Sequence, residues 1–250
     1  MARAPPSVVP HSLLHLWDDQ TLALLLQSPL VASMLKTNLP SEAKNNVLRC
    51  QTIKLSNSKW TLKGYSLNVN SLNGVSKSTL LELSTKFHLI ALQETRFTSA
   101  QNLKRVDHLW RQTSVFNTSF WSQSNCTTFT GQAGVGILLT PTCPIKNIQD
   151  VTQKYASEQA LHHRYLLLEG TLDGERIFIH VVYAPVDPTA RPRFFQKLPT
   201  DLPYESSHLV LGDFNTVFSA SLDQAQTSNR ARQQGREELL TWMADLDLVD

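Results

Sequence analysis

The chain has 250 residues, of which 41% are hydrophobic, and 23 Lys and Arg against 21 Asp and Glu give a formal net charge of +2. That length holds one α/β domain with a sizeable core, or one domain and an appendage, and a mean hydropathy of −0.21 fits a soluble globular chain. A pI near 8.4 leaves the whole-chain field too weak to mark a nucleic-acid binder, so local clusters have to supply any affinity for phosphates.

Residues 1–59 differ in character from the rest. Leucines around Leu13, Leu16, Leu22 and Leu30 suggest one or two helical pieces, interrupted by Asp18, Asp19, Gln27 and Pro29. The longest apolar stretch is too short to span a bilayer, and no basic segment leads into a clean apolar run and cleavage site. The segment reads as a leader, partly helical or disordered, whose residues 41–59 are polar linker. Cys50, Cys126 and Cys143 are scattered without a C-x-x-C spacing, which argues against a disulfide framework and a zinc site.

From Trp60 onward the pattern is regular. Residues 65–72 read as a strand with Asn68 and Asn70 at its exit. In 77–87, Leu80, Leu81, Leu83 and Phe87 fit one face of a short helix. Residues 87–95 are a second apolar strand ending in Gln93-Glu94-Thr95. Strand, helix, strand predicts a parallel pair, which brings both polar exits to one sheet edge.

Residues 134–140 form an apolar strand stopped by Pro141, and 164–172 and 176–183 flank Asp173-Gly174, a hairpin signal. Antiparallel pairs interleaved with helical stretches indicate mixed sheets. The run 208–215 ends in Gly212-Asp213-Phe214-Asn215, and the period of two aims Asp213 and Asn215 the same way. An acceptor-only carboxylate beside an amide suits a phosphate ester, a divalent metal or an attacking water; an Asx turn capping the strand is the equal alternative. Arg230, Arg232 and Arg236 lie in or just before a helix running to Met243. They read either as a solvated helix start or as guanidinium groups aimed at phosphates.

Taken in order, Leu67-Asn68-Val69-Asn70, Leu92-Gln93-Glu94-Thr95, Gly134-Val135-Gly136-Ile137-Leu138-Leu139, Val182-Tyr183-Ala184-Pro185 and Leu211-Gly212-Asp213-Phe214-Asn215 resemble the successive motifs of the endonuclease/exonuclease/phosphatase superfamily. The pattern is most similar to the apurinic-type endonuclease domain of non-LTR, LINE-type retrotransposons and covers residues 60–250. The resemblance implies an α/β fold, a four-layer sandwich of two mixed β-sheets flanked by helices. It implies metal-dependent phosphodiester hydrolysis with Mg²⁺, or Mn²⁺, and DNA as partner, together with a reverse transcriptase domain of the same parent element. Intact relatives nick target DNA to leave a 3′-hydroxyl primer. No membrane association is implied, and the location is intracellular and nuclear.

By the same resemblance Glu94 holds the metal, and Asn68 organises metal and phosphate. Asp213 orients or deprotonates the attacking water, Asn215 binds the scissile phosphate, and Tyr183 lies near it. Arg96, beside the metal edge, is the better DNA contact, followed by Arg230 and Arg232. Ser71 stands where the motif has glycine, and Val186 where it often has asparagine. The family's Ser-Asp-His motif has no counterpart. His88 and His180 read as ordinary strand residues and His162-His163 as a surface pair, so no catalytic histidine is assigned. The domain is therefore expected to be incomplete at the C-terminus, lacking its last strands. Two alternatives stand beside this reading: a same-fold phosphatase or lipid phosphodiesterase, and a non-catalytic nucleic-acid-binding remnant.

Overall fold

Apolar residues on both faces of the central strands, and on one face of each long helix, drive this chain into two sheets with a helical layer outside each. The computed structural model describes residues 49–54 (backbone only), 61–124, 126–216 and 233–248. Strands β1 (Arg49–Lys54) and β2 (Thr61–Asn68) are followed by α1 (Lys77–Lys86) and β3 (Leu89–Gln93), then α2 (Ala100–Arg111), β4 (Thr118–Trp121) and β5 (Val135–Leu139). These five strands make the first sheet, in the order β1-β2-β3-β5-β4. Next come β6 (Lys146–Asp150), the single turn α3 (Thr152–Tyr155), β7 (Tyr165–Leu172), β8 (Glu175–Tyr183), α4 (Arg191–Phe195), β9 (Ser207–Asp213) and α5 (Arg236–Asp245). Strands β6 to β9 form the second sheet in chain order.

Burial sorts these elements into helix, sheet, sheet and helix. Leu89, Ala91, Ile137, Leu166, Leu168, Ile179, Val181 and Leu211 fill the space between the sheets. On the outer face of the first sheet, Ile90, Leu92 and Leu138 pack with Leu80 of α1 and Val106 and Trp110 of α2. Outside the second sheet, Leu167, Phe178 and Val182 meet Phe194 of α4 and Leu239 and Trp242 of α5. This is the expected four-layer sandwich. Strands covered on both faces read as unbroken apolar runs, which is why 89–92 and 135–139 were legible.

Two parallel pairs decide where the polar strand ends go. β2 and β3 run parallel with Asn68 opposite Gln93, and β8 and β9 run parallel with Tyr183 opposite Asp213. In each pair a helix-containing crossover returns the chain to the start of the next strand, so both members finish at the same sheet edge. The hairpin also forms as expected: Asp173 and Gly174 lie at φ 53° and 89°, the left-handed pair that a tight two-residue turn between twisted strands requires.

The structure departs from the sequence reading in several places. The expected linker 41–59 contains β1, which pairs antiparallel along β2 from Arg49↔Ser66 to Lys54↔Thr61; a short edge strand with charged ends carries no apolar alternation to betray it. Leu81, expected on the buried face of α1, is 46% exposed, whereas Leu80, Leu83 and Phe87 are buried. One residue beyond Leu80 rotates the side chain by about 100° around the helix, off the packed stripe. Helix α2 and strands β4 and β6 were not anticipated. In β6, Lys-Asn-Ile-Gln-Asp, only the central Ile148 is even partly buried. The leader 1–48 lies outside the described residues.

His180, read as an ordinary strand residue, is fully buried in the second sheet's outer layer. Its surroundings fix the protons. Ser206 donates to Pro203 O at 2.5 Å, so its oxygen must accept from His208 Nε2 at 3.2 Å. His208 Nδ1 then accepts from His180 Nε2 at 3.1 Å, and His180 Nδ1 accepts from the Tyr165 hydroxyl at 2.7 Å. Every proton in the row is placed only if both rings are neutral. Burial, and the neighbouring His208, hold His180 well below its ordinary 6.5; burial lowers His208 against an opposing pull from Asp247.

Two outcomes are expected. An unfolded chain takes up protons at these histidines as pH falls through 6.5, while the folded chain resists until lower pH. Stability contributed by the neutral pair is therefore complete above that value and declines below it, for His180 by about 1.4 kcal/mol per pH unit. Chemical denaturation between pH 7.5 and 5 should show this decline, and a shallower one in His208→Gln; equal slopes in both proteins would remove the pair as its source. Separately, a Cβ on Gly212 would lie 2.3 Å from Val182 O, a backbone atom held in the sheet. Gly212→Ala should lower stability by about 3 kcal/mol, measured as the denaturant midpoint.

Candidate active site

Four polar residues occupy the edge where both parallel pairs end, two from each sheet. Asn68 closes β2 and Glu94 follows β3; Tyr183 closes β8 and Asp213 closes β9. They bridge the sheets in two places. Asn68 Nδ2 donates to Asp213 Oδ2 at 2.9 Å, and the Tyr183 hydroxyl donates to Glu94 Oε1 in a short hydrogen bond. Tyr183 and Asp213 are themselves register partners across β8 and β9, so the bridges stand side by side.

The loops that present Asn68 and Glu94 are zipped together by backbone bonds: Val69 N–H to Gln93 O at 2.9 Å, Ser71 N–H to Glu94 O at 2.8 Å and Leu72 N–H to Thr95 O at 3.0 Å. Thr95 and Arg96 donate in turn to Gly134 O and Ala133 O. This close weave needs unusual backbone. Asn70, Ser71, Glu94 and Arg96 all have positive φ, at 47°, 115°, 55° and 49°. At Gly134 an added Cβ would sit 2.2 Å from Thr95 Oγ1, so glycine is required there. Strained backbone of this kind clusters at sites whose geometry is over-determined by the surrounding fold.

Each acid is held by specific donors. Glu94, only 8% exposed, accepts from Tyr183 on Oε1 and pairs with Arg96 Nη2 at 2.5 Å on Oε2. Asp213 accepts from Asn68 on Oδ2 and from the Asn215 backbone N–H on Oδ1 at 3.1 Å. The Tyr183 phenol is raised far above its ordinary range, first by burial and then by its hydrogen bond and proximity to the Glu94 carboxylate. At neutral pH it is therefore a donor. The Arg164 guanidinium lies 5.0 Å over the Tyr183 ring, and Tyr183 N–H is bonded to Arg164 O at 2.8 Å.

Of the residues singled out in the sequence, Asn68, Glu94, Tyr183, Asp213 and Arg96 come together. Asn215 is adjacent, but its side-chain amide donates to Ala184 O at 2.8 Å and its φ is 49°, so it also closes the turn after β9. Arg230 and Arg232 lie outside the described residues, and Arg236 is the first residue of α5. Val186, where the sequence resemblance often has asparagine, is 61% exposed. Two of the described histidines are engaged elsewhere: His88 Nδ1 accepts from Lys63 N–H at 3.1 Å, and His163 Nδ1 lies 3.6 Å from Cys126 Sγ.

Sequence reasoning passed over three residues at this edge. Arg164 immediately precedes an apolar strand, a position that reads as a solvated strand start. Arg191 is buried and donates from Nε to Pro185 O at 3.0 Å and from Nη2 to Val186 O at 2.7 Å, fixing the chain just past Tyr183; a charge that is 5% exposed leaves no trace in a sequence. Gln93 is 1% exposed and its Oε1 accepts from Ser66 at 3.4 Å, on the same sheet face as Asn68.

The donor set suits a hard divalent cation. Among the described residues no group of three or more His, Cys, Asp or Glu is placed to hold a metal. Mg²⁺, however, commonly takes one or two carboxylates and completes its shell with water and substrate phosphate. Glu94 offers a buried carboxylate that already holds a positive group, and the oxygens of Asn68 and Asp213 lie at the same edge.

No protein-family model matches the chain. Among solved structures, the fold is similar to the catalytic domain of APE2 from Xenopus laevis, with a TM-score of 0.50 and 21% identity over 72% of this chain and 67% of that one. It is also similar to the AP endonuclease LMAP from Leishmania major, with a TM-score of 0.51 and 13% identity over 88% of this chain and 78% of that one. At these identities the likeness establishes the fold alone: the two-sheet α/β sandwich that these structures share.

Ser71, at φ 115°, occupies backbone space that suits glycine. Ser71→Gly should relieve about 1 kcal/mol of strain and raise Tm by about 2–4 °C, even though the contact from Asn73 N–H to the Ser71 hydroxyl is lost. A lower Tm would mean that the loop is not strained there.

Proposed function

We propose that the chain carries a metal-dependent phosphodiesterase centre of the DNA-nicking type, related to the endonucleases of non-LTR retrotransposons and acting in the nucleus. The observation that carries this reading is the double bridge: one carboxylate and one neutral donor from each pair of strand ends, Asn68 with Asp213 and Tyr183 with Glu94, side by side at a shared edge. The order of motifs in the sequence supports the same reading.

Hydrolysis of a phosphodiester requires an oriented water, neutralisation of charge growing on the phosphoryl oxygens, and a stabilised leaving oxygen. Asp213 is suited to the first task. Its carboxylate is fixed by two donors, from Asn68 and Asn215, and a fixed acceptor aligns a water and takes its proton. Asn68 sets the angle of that carboxylate. Its own Oδ1 is held by Asn70 N–H at 3.1 Å, so its amide cannot rotate without cost. Glu94, with Asn68, would hold Mg²⁺ or Mn²⁺, which when bound supplies Lewis-acid stabilisation of phosphoryl oxygens. Tyr183 stays protonated, orients Glu94 and keeps an O–H donor at the edge. Asn215 has a second amide hydrogen beyond the one given to Ala184, which suits it to donate to a phosphate oxygen.

The test is nicking of supercoiled plasmid in Mg²⁺. Glu94→Gln and Asp213→Asn should each reduce the rate by about a hundredfold or more, and Tyr183→Phe by about tenfold. Nicking that survives both acidic substitutions would sink the assignment. DNA retention that weakens with salt, without nicking, would point instead to a nucleic-acid-binding remnant. Hydrolysis of a phospholipid headgroup with plasmid left intact would move the substrate to a lipid.

A further inference from the structure

We infer that Arg96 is a built-in counter-cation that competes with the divalent metal for Glu94, so that loading the site requires its guanidinium to leave. The inference rests on the metal-dependent reading above and concerns how that site is controlled. Both oxygens of Glu94 are engaged, Oε1 by the Tyr183 hydroxyl and Oε2 by Arg96 Nη2. Each oxygen keeps a second lone pair, but a divalent cation bound there crowds the donor already in place, and repels it where that donor is a guanidinium, so one of the two gives way.

The surroundings decide which. Tyr183 is 3% exposed, its backbone N–H is bonded to Arg164 O, and its ring lies under the Arg164 guanidinium. Moving it would disturb the end of β8. Arg96 is tethered differently. Its backbone is fixed through N–H to Ala133 O and through its carbonyl, which accepts from Asn73 Nδ2 at 3.1 Å. Its side chain, though, is 42% exposed, against 11% for that of Glu94. The guanidinium can swing into solvent by rotation about its own side-chain bonds, with no change in the strained backbone that aims Glu94.

Such a residue keeps a buried carboxylate neutralised when no metal is bound. It also weakens the apparent metal affinity by the fraction of molecules in which it is seated. Once displaced, its planar donors lie at the rim, where they fit a phosphate of the substrate.

The experiment is calorimetric titration of Mn²⁺ into the full chain without DNA, for the wild type, Arg96→Gln, Arg164→Gln and Glu94→Gln, each confirmed folded by circular dichroism. Arg96→Gln should bind Mn²⁺ about fivefold more tightly than the wild type. Arg164→Gln removes a cation that touches Tyr183 rather than Glu94, and should change affinity by less than about twofold. Unchanged or weaker binding in Arg96→Gln would overturn the competition. So would equal tightening in both arginine variants, since a diffuse field rather than contact would then be responsible. If Glu94→Gln binds as well as the wild type, or no protein binds Mn²⁺, the metal-dependent reading itself fails.

Discussion

A carboxylate buried where two sheets meet is the constraint from which the rest of this edge follows. Taking Glu94 out of water costs several kcal/mol unless its oxygens are paired and hydrogen-bonded. One partner comes from its own loop, Arg96, and one from the opposite sheet, Tyr183. The second pins the two sheets to each other at the end where β2, β3, β8 and β9 all stop. Asn68 and Asp213 repeat the arrangement one strand over. Between the sheets the described core is mostly aliphatic, which sets their spacing but not a polar register; these two bridges add the orientation.

The left-handed residues belong to the same problem. To carry Glu94 under the opposing sheet, the chain must turn sharply straight after β3, and the turn is held by bonds to the 69–72 loop and to 133–134. Positive φ at Asn70, Ser71, Glu94 and Arg96 is the cost of that turn. The dense backbone bonding is what keeps it from relaxing.

What the sequence revealed follows from what has a periodic signature. β3, β5 and β8 are buried on both faces and stood out as apolar runs, and Asp173-Gly174 announced the hairpin because only a few residue types accept its dihedral angles. β1 and β6 lie at sheet edges, where backbone bonding holds a strand whose side chains need not be apolar, and both were missed. Leu81 was placed on the wrong helix face because leucine is counted as apolar wherever it points. For the candidate site, Asn68, Glu94 and Asp213 stand out in the sequence because each ends an apolar run, whereas Tyr183 is singled out only by the family resemblance. Arg164 and Arg191 were not, since a cation seated on a ring or capping carbonyls looks, in one dimension, like any solvated arginine. His180 reads in sequence as an ordinary strand residue because the other members of its hydrogen-bonded row lie 15 and 28 positions away.

The bridges also span long stretches of chain: 145 residues separate Asn68 from Asp213, and 89 separate Glu94 from Tyr183. Contacts this remote in sequence form late, because closing long loops is entropically costly before any partner is met. During synthesis the first sheet can assemble while the strands bearing Tyr183 and Asp213 are still unmade, with Arg96 the only companion Glu94 has. The double bridge thus cannot form before the strands that carry Tyr183 and Asp213 are in place, and until then Glu94 and Asn68 lack their cross-sheet partners.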